Sequence, residues 1–344
     1  MASKFTNPRP LGKNGPLVPA MGFGLMIMTT ASYGALSEDD QRFALLDRAV
    51  ELGATFWDTS DMYGDNEELL AKWFQKTGKR DEIFLASKFG YVTHSGPMEI
   101  NSSAEYTKKA CYSTLKKLGI DHIDLYYVHN VDQVTPIEET MRALVELQNE
   151  GKIKHIGLSM VSSKAIRRAV KIGVVTAYQP AYSLFERGIE GSEGTDALAT
   201  CRELGIAVVC ATPLGRGILT STFSGGNAVG DDTDIRGKMM PQFQDGAREH
   251  NAKLASEIKV IADKKGCSLS QLALAWLLKQ GDDIFPIPGT RRIEYLEDNM
   301  AALNVSLTDR EEAEIRAVVD KTPVAGGAVP DAFKNFIYRD TKEE

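Results

Sequence analysis

The segment "FWDTSDMYGDNEELL", residues 56–70, decides the fold. An apolar pair runs into Asp58, a glycine-bearing turn holds Tyr63, and an acidic, leucine-bearing stretch follows. Phe56 and Trp57 read as the end of a buried strand, and Asp58 falls where that strand meets solvent. Tyr63 lies in the loop before a helix predicted over 66–77. A strand ending on an ionisable group and leading at once into a helix is one unit of an alternating α/β fold.

The same unit recurs outward in both directions. "MGFG" precedes a helix predicted over 37–52, and "EIFLASK" precedes one over 102–118. "HIDLYYVH" leads to 136–150, "KIKHIGLS" to 162–171 and "TAYQP" to 195–204. "IAVVCA" leads to 251–265 and "DIFPIPG" to 292–302. Together with "ATFWD" these make eight strand-then-helix units, which favours a closed parallel (β/α)8 TIM barrel over a doubly wound sheet. A chain of 344 residues accommodates one such barrel, and no shift of composition marks a boundary, so residues 1–344 read as a single domain. Ser37, followed by Glu38, Asp39 and Asp40, suits a helix N-terminus. Pro136 suits a first helical position and Gly151 a C-terminal stop. Two parts exceed the repeat. Residues 5–18, centred on Asn14-Gly15, read as a β-hairpin closing the barrel bottom. Residues 215–248, after the seventh strand, are rich in Gly, Ser and Asp and long enough for a functional loop or lid.

Composition narrows the function. The formal net charge of −7 leaves no surplus of Lys or Arg for a nucleic-acid partner. No apolar run approaches the length of a membrane span, and "MASKFTNPRP" has no signal-peptide apolar region. Cys111, Cys201, Cys210 and Cys267 show no CxxC spacing and no small-domain disulfide framework, so reduced thiols in the cytoplasm are expected.

Strand tips in a parallel barrel converge on one mouth, where chemistry is placed. Three strands finish on an ionisable group: Asp58, Lys88 in "FLASK" and His129 in "LYYVH". Alternation puts Phe84, Ala86 and Lys88 on one face of their strand, and Leu125, Tyr127 and His129 on one face of theirs. If both faces point inward, the lysine, histidine and aspartate enter the mouth beside Tyr63. A lysine cation lowers a phenol's pKa, a buried aspartate keeps the lysine charged, and a histidine orients a carbonyl oxygen or relays a proton. Singly, each has an ordinary explanation as a turn, cap or packing residue; the shared location joins them.

On the anion side, no GxGxxG follows the first strand. "PLGRG", Pro213, Leu214, Gly215, Arg216 and Gly217, has glycines that let backbone amides approach an anion and an arginine that adds charge. In "PGTRRIEYLEDN", Arg291 and Arg292 stand at a helix start, the end whose dipole disfavours cations unless an anion docks there.

"FWDTSDMYGDNEELLAKWF", "IGLS", "YSLFER", "TPLGRGILT" and "IPGTRRIEYLEDN" together resemble the aldo-keto reductases, especially their microbial and fungal NADPH-dependent branch, over residues 11–307. The resemblance implies a (β/α)8 barrel, bound NADP(H) and a catalytic tetrad of Asp58, Tyr63, Lys88 and His129. It implies that Pro288 and Gly289 lead into Thr290 and Arg291, which clasp the adenosine 2′-phosphate, with Asp298 and Asn299 near the adenine. Ser159 and Gln179 match positions that bind the carboxamide, and Gly24, Leu25 and Met26 match the loop at the nicotinamide ribose, with Asp58 within the cofactor's reach. Two positions depart from the pattern. Met160 stands where relatives carry Asn or Glu, and Ala211 where they carry an aromatic that stacks on the nicotinamide, a place for another ring such as Tyr182. The expected activity is reduction of a small carbonyl compound to an alcohol, with Tyr63 as acid. Met28, Tyr91, Asn130, the 215–248 loop and the tail from Phe333 to Tyr338 are expected around the substrate. A Schiff-base aldolase using Lys88 and an NADPH-binding redox-sensing regulatory subunit are the competing readings. Oligomeric state is open.

Overall fold

The computed structural model describes residues 7–29, 36–92, 99–192, 194–225, 234–244, 246–327 and 329–344. Parts of the 5–18 stretch and of the 215–248 loop therefore lie outside the described residues. Eight strands form one parallel sheet in sequence order: β3 (Phe23–Gly24), β4 (Phe56–Asp58), β5 (Phe84–Phe89), β6 (Ile123–Val128), β7 (Ile153–Ser159), β8 (Val175–Gln179), β9 (Ala207–Cys210) and β10 (Ile284–Pro286). They are the eight strands that the apolar runs predict.

The ring closes where β3 meets the residues after β10. Gly22 donates to Pro286 O at 2.9 Å, Gly24 donates to Pro288 O at 3.3 Å, and Gly24 bridges Gly289 in parallel. Glycine is required at this seam, because a Cβ on Gly24 would lie 2.7 Å from Ile287 O. Inside the barrel, Phe56, Ala86, Leu125, Tyr127, Ala177, Val209 and Phe285 pack as one buried cluster. Alternation therefore points the Phe84-Ala86-Lys88 and Leu125-Tyr127-His129 faces inward as expected.

The N-terminal hairpin pairs β1 (Pro8–Pro10) with β2 (Leu17–Pro19). Asn14 takes a φ of 60°, as the turn demands, and Lys13 donates to Gly205 O at 2.7 Å. Leu11 and Val18, both fully buried, press into the interior cluster from this side and stop the barrel's N-terminal end.

Helices Asp39–Leu52, Asn66–Thr77, Ala104–Leu118, Ile137–Asn149, Ser163–Ala169, Ala197–Leu204 and Ile293–Ala301 follow the strands that predict them. The seventh unit differs. The helix expected over 251–265 runs from Ala247 to Lys265, and a further helix, Leu269–Lys279, separates it from β10. Eight of the eleven residues in Leu269–Lys279 are buried, Trp276 among them, which makes this the barrel's seventh covering helix. A helix apolar on every side carries no amphipathic stripe, so its period is silent in the sequence. Helix Asp309–Lys321 is likewise additional.

Two helix starts also differ from expectation. Glu38, not Ser37, is the cap residue of Asp39–Leu52 and makes no side-chain cap bond. Pro136 occupies the cap position before Ile137, and the Ile137 N–H is met by Thr341 Oγ1 at 3.0 Å. That threonine belongs to a C-terminal tail tied across the barrel's mouth side. Asn130 Nδ2 donates to Phe336 O at 2.6 Å, Arg339 N–H donates to Met160 O at 3.2 Å, and the Arg168 guanidinium donates to Thr341 O at 2.8 Å. Among the described residues no helix is long and apolar enough to cross a membrane.

Candidate active site

β4, β5 and β6 deliver the ionisable tips to one place. Lys88, fully buried, sets its Nζ 2.5 Å from Asp58 Oδ1, 2.8 Å from Thr59 O and 3.2 Å from the Tyr63 hydroxyl. The other Asp58 oxygen accepts from Gln179 Nε2 at 2.7 Å, and Ser159 Oγ donates to Gln179 O at 2.8 Å. His129 stands edge-on to Tyr63, ring centres 5.9 Å apart, and edge-on to Tyr91 at 5.0 Å. Its Nδ1 lies 3.1 Å from Ser60 Oγ. Asp58, Lys88, Tyr63 and His129 are thus brought together.

The loop carrying Tyr63 is fixed by a side chain the sequence did not single out. Asn66, buried at the start of helix Asn66–Thr77, donates to Leu25 O at 3.0 Å and to Thr29 Oγ1 at 3.1 Å. It also accepts from Thr59 Oγ1 at 2.7 Å. Thr29 Oγ1 in turn donates to Tyr63 O at 2.6 Å. Both ends of the loop are anchored, so the phenol is held on the lysine.

Burial dominates the protonation states. It pushes the Tyr63 phenol above its ordinary pKa, and although the Lys88 cation pulls the other way, Asp58 adds to the rise. The sequence reading, in which lysine lowers the phenol, captures only the opposing contribution. Burial works against the Lys88 ammonium too, yet the Asp58 carboxylate and the Tyr63 contact outweigh it and raise its pKa. Burial and the Lys88 charge hold His129 well below the usual histidine value. At neutral pH the site therefore presents a protonated phenol, a charged lysine and a neutral imidazole.

A long cleft opens from this cluster. Asp58, Tyr63 and Gln179 line it, as do Gly24 and Met26, Pro213, Leu214, Arg216 and Gly217, and Pro288, Gly289, Thr290, Asp298 and Asn299. Four expected cofactor residues do not line it. Leu25 is buried in the core with Phe23 and Trp57, and the Ser159 hydroxyl is engaged by Gln179 O. Gly215 turns its N–H onto Thr212 O at 2.9 Å. Arg291 directly precedes Arg292, which is the cap residue of Ile293–Ala301 and lies over the Tyr295 ring. The Asp298 carboxylate accepts from Ser268 Oγ at 2.8 Å and Gln271 Nε2 at 2.7 Å.

Ala211 lines the cleft, and Tyr182 does not fill in for an aromatic there. Its ring is fully buried against Trp276, and its hydroxyl donates to Glu190 at 2.7 Å, in the helical layer. Met28 is likewise buried among core residues such as Leu45, and it is Ile27 that lines the cleft. Arg236 is the principal residue the sequence reading missed. It lines the cleft, donates through Nη1 to Arg216 O at 2.6 Å and pairs with Asp234 at 2.6 Å. Only the length of the loop after β9 hinted at it.

A closed parallel barrel with its ionisable side chains gathered at the C-terminal mouth, beside a deep cleft, defines the class: a (β/α)8 enzyme. The family profile described as "Aldo/keto reductase family" matches residues 20–320, and the chain belongs to that family of oxidoreductases. The chain is 45% identical over 328 residues to the aldo-keto reductase yakc of Schizosaccharomyces pombe, a protein named for NADP(+), covering 94% of this chain and 95% of that one. It is 40% identical over 324 residues to the aldo-keto reductase str7 of Strobilurus tenacellus, covering 93% and 94% of the two chains. Among solved structures, a glycerol dehydrogenase from Gluconobacter oxydans shares the fold with a TM-score of 0.80 at 24% identity, covering 94% of this chain and 97% of that one. A thermostable aldo-keto reductase bound to the inhibitor epalrestat matches with a TM-score of 0.70 at 25% identity, covering 90% and 99%.

Proposed function

We propose that this chain, acting as one barrel domain in the cytoplasm, reduces a small aldehyde or ketone to an alcohol with NADPH, with Tyr63 as the general acid. The observation that carries the reading is the Lys88 ammonium held between Asp58 and the Tyr63 hydroxyl, with His129 edge-on to the same phenol.

The residues present suit the dinucleotide. Gly217 has a φ of 103°, and a Cβ there would meet Arg236 Nη1 at 2.8 Å, so glycine lets the backbone lie against that guanidinium at the cleft wall. Arg216 and Arg236 line the cleft as cationic donors suited to a diphosphate, and Thr290 and Asn299 line it as polar groups suited to the adenosine. The S. pombe relative's NADP(+) supports the same assignment. When bound, the reduced nicotinamide supplies the hydride.

The chain's own residues do the rest. Tyr63 gives its phenolic proton to the carbonyl oxygen as negative charge develops there. Lys88 stabilises the phenolate left behind, and Asp58, fixed by Gln179, keeps the lysine charged in a buried setting. His129, neutral, orients the carbonyl oxygen by hydrogen bonding. Tyr63→Phe should bind NADPH as tightly as the parent, by quenching of protein fluorescence, and lose all but about a thousandth of its NADPH oxidation against a panel of aldehydes and ketones. Full turnover in that variant overturns the assignment.

A further inference from the structure

Beside the four groups of the site stands a second chain of polar atoms that the mechanism above does not use. Ser60 Oγ, fully enclosed, lies 3.1 Å from His129 Nδ1, 3.3 Å from Asp61 Oδ1 and 3.4 Å from Lys88 O. One hydroxyl proton faces three acceptors, and the charge on Asp61 decides which wins. We propose that Asp61, acting through the Ser60 hydroxyl, sets which ring nitrogen of His129 carries the proton, and hence whether that ring can donate a hydrogen bond to a carbonyl oxygen. The inference rests on the reductase reading only for its effect on turnover.

With Asp61 ionised, its carboxylate takes the Ser60 proton, since a charged acceptor forms the stronger hydrogen bond. Ser60 Oγ is then left as an acceptor, and His129 satisfies it with Nδ1–H. In a neutral ring Nε2 is then a bare lone pair, repelled by a carbonyl oxygen. With Asp61 protonated, the carboxyl donates to Ser60 Oγ, Ser60 donates to Nδ1, and Nε2 carries the hydrogen. The two states differ by one proton: it enters at Nε2, the Nδ1 hydrogen passes to Ser60 and the Ser60 hydrogen to Asp61. Among the described residues Nε2 meets no protein hydrogen-bond partner, so it is the nitrogen left for a ligand.

The surroundings poise Asp61 for this role. It faces Glu67 of helix Asn66–Thr77, Lys117 and Tyr106 of helix Ala104–Leu118, Lys88 of β5 and Tyr126 of β6. Burial, then repulsion by Glu67, push its carboxyl up to about 7, against the Ser60 hydrogen bond and the pull of Lys117 and Lys88. His129 faces Lys88, Tyr63 and Tyr91, and burial with the Lys88 charge keeps it neutral over the same range, so the switch is one of tautomer rather than of imidazolium. Asp61 and Ser60 are positioning residues; His129 alone of the three would touch substrate.

The test is nitrogen-15 NMR of His129 in the ligand-free, full-length protein, from about pH 5 to about pH 9. Expected is a change from Nε2–H to Nδ1–H with its midpoint near the Asp61 value of about 7, absent from Asp61→Asn and from Ser60→Ala. In parallel, reductive kcat should fall roughly tenfold across that midpoint in the parent and stay flat in Asp61→Asn, the cost of one lost hydrogen bond. A single tautomer throughout, or a switch that persists in Ser60→Ala, overturns the inference. A switch of the expected form in a protein that turns over no carbonyl supports the tautomer device and overturns the reductase reading instead.

Discussion

Replacing Asp58 with Asn tests the ion pair at the centre of the site. At the 2.5 Å separation of Lys88 Nζ and Asp58 Oδ1, unit charges at an effective dielectric of about 20 attract by about 7 kcal/mol before desolvation is counted. The asparagine keeps the shape but removes the charge, and it offers one acceptor where the carboxylate served both Lys88 and Gln179. Lys88 remains enclosed with Thr59 O and the Tyr63 hydroxyl alone. Removing one partner of a buried pair costs about 3–5 kcal/mol, and the upper part of that range applies here because the lysine is fully buried. The assay is urea unfolding at about pH 7.5, followed by the fluorescence of buried tryptophans such as Trp57, which adjoins Asp58. The pH dependence fixes the cause. Lys88 has a folded-state pKa raised above its ordinary 10.5, so the stability it confers is fully present below that value and is lost as pH rises through the folded one. The gap between parent and variant should hold steady through neutrality and close above about pH 10.5. A gap under about 1 kcal/mol at neutral pH, or one indifferent to alkaline pH, refutes the reasoning.

Three further outcomes follow from other parts of the molecule. Arg236→Ala removes the guanidinium that borders the cleft and supports the Arg216 carbonyl, and NADPH affinity measured by fluorescence titration should fall about tenfold or more, less so at high salt. Met160, at the tip of β7, has a φ of 53°, a conformation that asparagine tolerates better, so Met160→Asn should raise the unfolding free energy by about 0.5–1 kcal/mol in urea titrations. Thr341→Val keeps the tail's shape but leaves the Ile137 N–H unmet, and should lower stability by about 1 kcal/mol in the same assay.

The strands were legible because each is a short apolar run bounded by turns, and a parallel sheet covered on both faces requires such runs. Their count and their tips, Asp58, Lys88 and His129, therefore follow from the sequence, and alternation supplies the inward direction of Lys88 and His129. What stayed hidden depends on contacts distant in sequence. Leu269–Lys279 has no polar face to reveal a period, so sequence pattern points to the preceding helix, Ala247–Lys265, in its place. Thr341 caps a helix that begins 204 positions earlier, and no local signal announces a cap of that kind. Arg236 reaches the cleft through a loop whose path no propensity specifies. The sign of the Tyr63 shift is hidden from the sequence because burial, a property of the whole fold, exceeds the neighbouring charge that the sequence can name.

The hairpin that seats Leu11 and Val18 in the base of the barrel turns the molecule into a stoppered flask. Whatever reaches Tyr63 comes in through the neck and goes out the same way. On the reductase reading, cofactor and carbonyl would share that one neck.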